Sequence, residues 1–183
     1  FGSSKYLERK PYPPGVHGQK RRRKATDYAL ALAEKQKMRY YYGLMEKQFR
    51  GIYEKAIRRR GVTGEIMLQI LETRLDSVVY SLGFGYTRAQ ARQMVTHGHV
   101  LVNGKRARTP SIAMNEGDKV EIKHTEKSRH LADKNLEYST SRTVPEWLEV
   151  DKAAYTGSVK RKPTREDIEP VANEQTIVEF YSR

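Results

Sequence analysis

The chain has 183 residues, 35 Lys and Arg against 22 Asp and Glu, a formal net charge of +13 and no cysteine. That length supports one domain or two small ones, and the missing cysteines exclude disulfides, a thiol nucleophile and any cysteine-based zinc site within these residues. The cationic excess points to a polyanion as partner, nucleic acid before an anionic membrane, while the lack of any apolar run near the ~20 residues of a membrane span and of an apolar core in "FGSSKYLERK" leads us to expect a soluble intracellular protein.

The segment 8–25, "ERKPYPPGVHGQKRRRKA", cannot be regular throughout, because Pro11, Pro13 and Pro14 fix extended dihedrals and Gly15 and Gly18 allow sharp turns. It ends in five adjacent cations, Lys20, Arg21, Arg22, Arg23 and Lys24. Such a run is either a solvated arm or an arm laid along phosphates. The interleaved Tyr12 and His17 favour the second, since flat rings stack on exposed bases.

Thr26 reads as a helix N-cap with Asp27 in the first turn. The first helix is predicted over 27–42, stopping at Gly43, and a second over 45–60. Phe49, Ile52, Tyr53, Ala56 and Ile57 recur at helical spacing and form its core face. Arg58, Arg59 and Arg60 sit in its last turn, where cations favour the helix dipole without any ligand. The aromatic cluster "MRYYYG" reads as packing rather than base stacking. A third helix is predicted after Thr63, with Leu68, Leu71, Leu75, Val78, Val79 and Leu82 as one continuous apolar stripe ended by Gly83. "GFGY" is a bend, not a phosphate loop.

In "YTRAQARQMVTHGHVLVNGKRA", Thr87 and Gln90 fit a capping box, Ala91, Met94 and Val95 face inward, and Gly98 closes the helix. Arg88 and Arg92 are four residues apart and share the other face. Asn103-Gly104 is a type I′ hairpin turn between short strands. "NEGD" at 115–118 turns the chain into a further strand at 119–122. The unit is two helices against a small sheet, with Arg88, Arg92, His97, His99, Lys105 and Arg106 expected on its exposed side. No acid lies between Tyr86 and Arg108, and a salt-bridged surface would supply some, so this face is expected to bind RNA. The stretch 123–137 is charged, reads as a helix and is expected to join two domains; Trp147 reads as a packing anchor.

Catalysis finds no support in the residues. There is no nucleophile elbow, Walker loop or dinucleotide fingerprint. His97 and His99 lack an acidic third ligand, so no metal is expected, and no cofactor. Asp76 reads as the ion-pair partner of a neighbouring arginine.

"RLDSVVYSLGFGYTRAQARQMVTHGHVLVNGKR" closely resembles the S-four-type RNA-binding domain. "PYPPGVHGQ", "DYALALAEKQKMRYYYG", "EKQFR", "GVTGE" and "NEQTIVEFYSR" extend the resemblance, almost end to end, to the bacterial-type S-four family of small-subunit ribosomal proteins. The resemblance implies an α+β fold. A mostly helical N-terminal domain (1–72) is completed by a C-terminal segment (138–183). A small RNA-binding domain (73–137), two helices on a largely antiparallel sheet, is inserted between. It implies a structural, non-enzymatic protein that binds small-subunit ribosomal RNA at a multi-helix junction and nucleates assembly of the subunit body. Its place would be in the cytoplasm, or on an organellar ribosome, without a membrane partner. There it would lie beside ribosomal protein S-five and other small-subunit proteins, near the channel by which messenger RNA enters.

Family residues that contact messenger match Lys20, Arg21 and Arg23. The fidelity-linked surface toward S-five falls in "KRKPTREDIEP" and "NEQTIVEF", which hold Arg165, Glu174, Gln175 and Glu179. The RNA-contacting set is expected to be Tyr12, His17, the run from Lys20 to Lys24, Lys37, Arg39, Arg50 and the six residues of the inserted domain. Some members carry an N-terminal zinc-binding cysteine cluster; this chain has none. The alternative function is an RNA-binding accessory module of an rRNA- or tRNA-modifying enzyme or a ribosome-rescue system.

Overall fold

A computed structural model describes residues 8–12, 14–19, 24–139 and 142–182. Lys20, Arg21, Arg22 and Arg23 lie outside the described residues, so the expectations placed on them find no structural account here. Helix α1 (Asp27–Tyr41) starts where expected, with the Thr26 hydroxyl accepting from the Ala29 N–H at 3.2 Å. Helices α2 (Glu46–Ile57), α3 (Thr63–Glu72) and α4 (Leu75–Ser81) follow. Then come α5 (Arg88–Thr96), β1 (Val100–Val102), β2 (Lys105–Ala107), β3 (Lys119–Ile122), α6 (Glu126–Tyr138), β4 (Leu148–Asp151), β5 (Thr156–Val159) and α7 (Glu174–Ser182).

The residues sort into two hydrophobic cores. Helices α1–α3 bury Met38, Phe49, Ile52, Met67 and Leu71 against Ile177 of α7 and Ile168 before it, so the C-terminus closes the N-terminal helical unit. The second core joins α4, α5 and α6 to a five-stranded antiparallel sheet of order β2-β1-β3-β5-β4. Trp147, 1 % exposed, anchors it as a packing residue. Strands β4 and β5 belong to this sheet, so the chain returns to the helical core after 159 rather than from 138. Helix α6 is not a bridge between units: Ala132 is fully buried in the second core.

The continuous stripe expected from 63 to 82 is two helices, broken at Thr73 and Arg74. The backbone there is drawn into a tertiary pairing. Leu75 N–H donates to the Ile112 carbonyl at 2.9 Å, Met114 N–H donates to the Thr73 carbonyl at 2.8 Å, and Arg74 bridges Ala113. These bonds replace intrahelical ones, and the apolar spacing is kept because both halves bury their faces. The halves sit in different cores. Helix α2 ends at Ile57, which is 52 % exposed and not part of the core face.

Two turns set the hairpin. Asn103 and Gly104 have φ of 49° and 75°, as a type I′ turn requires. The Asn103 side chain then ties that turn to "NEGD": its amide donates to Asp118 at 2.8 Å and its carbonyl accepts from Lys119 N–H at 2.9 Å. Gly157 lets β5 lie on α4, since a Cβ there would meet Leu82 Cδ1 at 2.5 Å.

Candidate nucleic-acid interface

Helix α5 carries the first two cations of the expected basic face, and its start is capped much as its sequence predicts. Thr87 Oγ1 accepts from Gln90 N–H at 3.1 Å, while Gln90 Oε1 accepts from Tyr86 N–H at 2.9 Å, one residue earlier than a capping box uses. Gly98 follows the last turn at φ 73°. The inward face is Ala91, Met94 and Val95, all at most 1 % exposed.

Arg88 corrects the expectation of an exposed arginine. Its side chain is 14 % exposed, and its guanidinium donates to Glu72 Oε1 and Ser77 Oγ, both at 3.1 Å. The rings of Tyr41, Tyr42 and Tyr80 lie 4.3, 4.6 and 4.6 Å from it. Cation–π contact of this kind gains strength as water is excluded. The same Glu72 Oε1 accepts from the Tyr42 hydroxyl at 2.6 Å. Burial opposes the Arg88 charge, but Glu72 and the tyrosine hydroxyls outweigh it and its pKa is raised. Burial, then the Glu72 carboxylate, push the Tyr42 hydroxyl well above its ordinary value.

Glu72, Tyr41 and Tyr42 come from the helical unit; Arg88, Ser77 and Tyr80 come from the other. Arg92, one turn on, makes a second tie between them: it donates to the Gly43 carbonyl at 3.1 Å and stands 3.7 Å from Asp76. At 34 % side-chain exposure it is only partly open to solvent. Asp76 is held mainly by Arg74, through bonds of 3.0 and 2.8 Å, the structural role expected of it. The acids missing between 86 and 108 are thus supplied from α3 and α4.

The hairpin is different. Lys105, Arg106 and Arg108 are exposed. Arg106 donates to the carbonyls of Gly98 at 3.3 Å and His97 at 3.2 Å, closing the end of α5 without losing its charge. Among the described residues, Lys105 and Arg108 have no ion-pair partner. His97 is exposed, whereas His99 is half-buried and its Nδ1 is 2.8 Å from the buried Ser128 hydroxyl. Burial, then His97, Arg106 and Lys123, lower the His99 pKa, so the ring favours its neutral form. Among the described residues no cluster of His, Asp and Glu could hold a metal ion.

Elsewhere the candidate residues divide in the same way. Lys37 pairs with Glu34 at 2.8 Å. Arg39 donates to Gln36 at 2.7 Å and lies 4.6 Å from the Tyr40 ring. Arg50 pairs at 3.3 Å with Glu54, both widely exposed. Lys24 and His17 are exposed and Tyr12 is half-buried. Arg165 and Glu174 are spent on each other through a 2.5 Å ion pair across the end of the helical core, whereas Gln175 and Glu179, 3.3 Å apart on α7, face outward.

Sequence reasoning missed Glu72, Tyr80 and Arg142. Arg142 stacks on Tyr80 at 3.9 Å and donates to the carbonyls of Tyr80, Gly85 and Tyr86, fixing the bend before α5. The "MRYYYG" cluster was the visible part of this joint; its cation lies 46 residues away from Tyr42 in the chain, beyond the reach of local spacing.

A helix and antiparallel hairpin with an exposed cationic edge, tied to a helical unit, form a module suited to a polyanion. The Ribosomal protein S4/S9 N-terminal domain family matches residues 2–72 and the S4 domain family matches 73–120. The small ribosomal subunit protein uS4 of Akkermansia muciniphila is 51 % identical over 184 residues, covering 100 % of this chain and 91 % of that protein. The uS4 of Opitutus terrae is 53 % identical over 183 residues, covering 100 % and 90 %; that of Thermus thermophilus is 49 % identical over 177 residues, covering 97 % and 85 %. The chain belongs to the uS4 family of small-subunit ribosomal proteins. It is an RNA-binding component of the ribosome, and its relatives are ribosomal proteins rather than enzymes. Among the described residues no helix is long and apolar enough to cross a membrane.

Proposed function

We propose that this protein binds small-subunit ribosomal RNA directly at a multi-helix junction and helps to nucleate assembly of the subunit body. The observation that carries the reading is the hairpin edge: Lys105, Arg106 and Arg108 stand exposed, and Arg106 is bonded to the carbonyl of the exposed His97. Cations held on a rigid hairpin suit phosphates in a fixed RNA shape better than they suit a base sequence. Phosphate contacts on this edge come from Lys105, Arg106 and Arg108, with Lys24, Arg50 and Lys37 as further candidates on the helical unit, and Tyr12 and His17 as stacking partners.

The basic arm, through Lys20, Arg21 and Arg23, would meet messenger RNA near the channel by which it enters. The outward side of α7, Gln175 and Glu179, is the part of the C-terminal segment left to face ribosomal protein S-five, with an effect on decoding accuracy. The setting is the cytoplasmic ribosome. The likeness to ribosomal proteins over 91 % and 90 % of their own length favours these readings over an accessory module of a modifying enzyme.

Titrating the protein against a five-helix junction fragment of small-subunit ribosomal RNA, across salt and with a plain duplex as competitor, tests the reading. Junction-preferring binding with a steep fall in affinity as salt rises is expected, because each neutralised phosphate releases counterions. Equal affinity for any duplex would reject it.

A further inference from the structure

We infer that the Arg88–Glu72 pair in its tyrosine cage is a positioning device. It sets the angle between the two cores and so presents the RNA-binding edge already oriented. This rests on the RNA-binding reading above, and it assigns Arg88 a role other than phosphate contact.

The argument starts from where each partner comes from. Glu72 ends α3 and Tyr41 and Tyr42 end the α1 segment, all in the helical unit; Tyr80 lies on α4 and Arg88 begins α5. One carboxylate oxygen accepts from both Tyr42, at 2.6 Å, and Arg88, at 3.1 Å. The guanidinium is planar and forked, so it holds a direction as well as a distance. Three rings surround it at 4.3–4.6 Å, and its Nε is buried without a hydrogen-bond partner, a desolvation cost that the Glu72 carboxylate and the ring faces offset.

Arg92, one turn further along α5, repeats the tie at Gly43. Two arginines on one side of a short helix fix its orientation, not only its position. The hairpin follows α5 directly, and Arg106 ties the two through the His97 and Gly98 carbonyls. Orientation therefore runs from Glu72 through Arg88 and α5 to Lys105. A two-lobed protein binding a rigid RNA fold with both lobes loses affinity if the lobes must be ordered on binding.

The test turns on a sign. Glu72→Gln is isosteric and removes a negative charge from a cationic protein. Simple electrostatics predicts equal or tighter RNA binding; positioning predicts about tenfold weaker binding to the junction fragment. Arg88→Lys is the second variant: it keeps the charge and loses the fork, so it is expected to weaken binding as Glu72→Gln does, with the salt slope of the unsubstituted protein retained. The angle is read without RNA. The chain has one tryptophan and no cysteine. Ala33→Cys, exposed on α1, therefore gives a single labelling site for an acceptor of energy transfer from Trp147 in the other core. A broader distance distribution is expected in both variants.

Unchanged or tighter binding by Glu72→Gln, an unbroadened distribution, or a lowered salt slope with full affinity in Arg88→Lys would each overturn the proposal. If the unsubstituted protein showed no junction preference, the RNA reading would fall, while the distance distributions would still decide whether this pair sets the angle.

Discussion

Helix α5 and the hairpin after it are neighbours in sequence and equally rich in cations, yet they use them in opposite ways. On α5, Arg88 is buried against Glu72 and three tyrosines and Arg92 reaches Gly43 and Asp76. On the hairpin, Lys105 and Arg108 face solvent. A run without local acids is therefore not an unneutralised run. Counting charges along the chain finds net charge; only the fold decides which cations have a partner brought from elsewhere. The half that is paired builds the joint, and the half that is not is the surface we propose for RNA.

Substitutions separate the two halves, most sharply at the buried end. Arg88→Ala leaves Glu72 uncompensated in a nearly closed site and is expected to cost about 3 kcal/mol of stability, measured by denaturant unfolding. A cost near zero would mean the joint holds nothing. Gly98→Ala is expected to cost about 1 kcal/mol, because the residue lies at φ 73°, where a side chain is strained, while the exposed Arg106 guanidinium that a Cβ would meet can swing aside. A thermal-melt comparison with the outward Gln93→Ala checks that the effect belongs to this junction of helix and hairpin.

Arg92→Ala should fall between the halves, at about 1 kcal/mol, since its side chain is 34 % exposed. Lys105→Ala should leave stability within about 0.5 kcal/mol. It should reduce the salt slope of RNA binding by about 1, as loss of one phosphate contact does. Destabilisation without a slope change would place Lys105 with the joint instead.

The smallest effect is a pH dependence. The His99 pKa is lowered in the folded protein, by burial and then by His97, Arg106 and Lys123. The unfolded chain then takes up its proton first, so as pH falls from about 6.5 the unfolded state gains protons that the folded state lacks and stability declines. Stability is complete above that range. Denaturant midpoints from pH 7 to 5 should show a shallower decline in His99→Gln than in the unsubstituted protein.

Local chemistry was legible wherever it depends on neighbours in sequence. Thr26 and Thr87 as caps, Asn103-Gly104 as a left-handed turn, and Ala91, Met94 and Val95 as an inward face all follow from short-range sterics and hydrogen bonding. The site was legible in part. The exposure of Lys105 and Arg106 followed because exposure at a tight turn is a local property. Arg88 was misplaced because its partners stand 16 and 46 residues upstream, at Glu72 and Tyr42. The break at Thr73 escaped because apolar spacing does not report which core a stripe faces, and the bonds to Ile112 and Met114 are long-range.

By itself, then, the sequence determined the cationic character, the Thr26 and Thr87 caps with the helices they start, the hairpin and the family motifs, since each is written in composition or in contacts a few residues apart. The tertiary structure decided how α3 and α4 divide between two cores, how β4 and β5 complete the sheet, and which arginines are joint and which are surface. Those outcomes depend on groups that meet only after the chain has closed on itself, where desolvation and a matching carboxylate make the same side chain buried in one place and free in another.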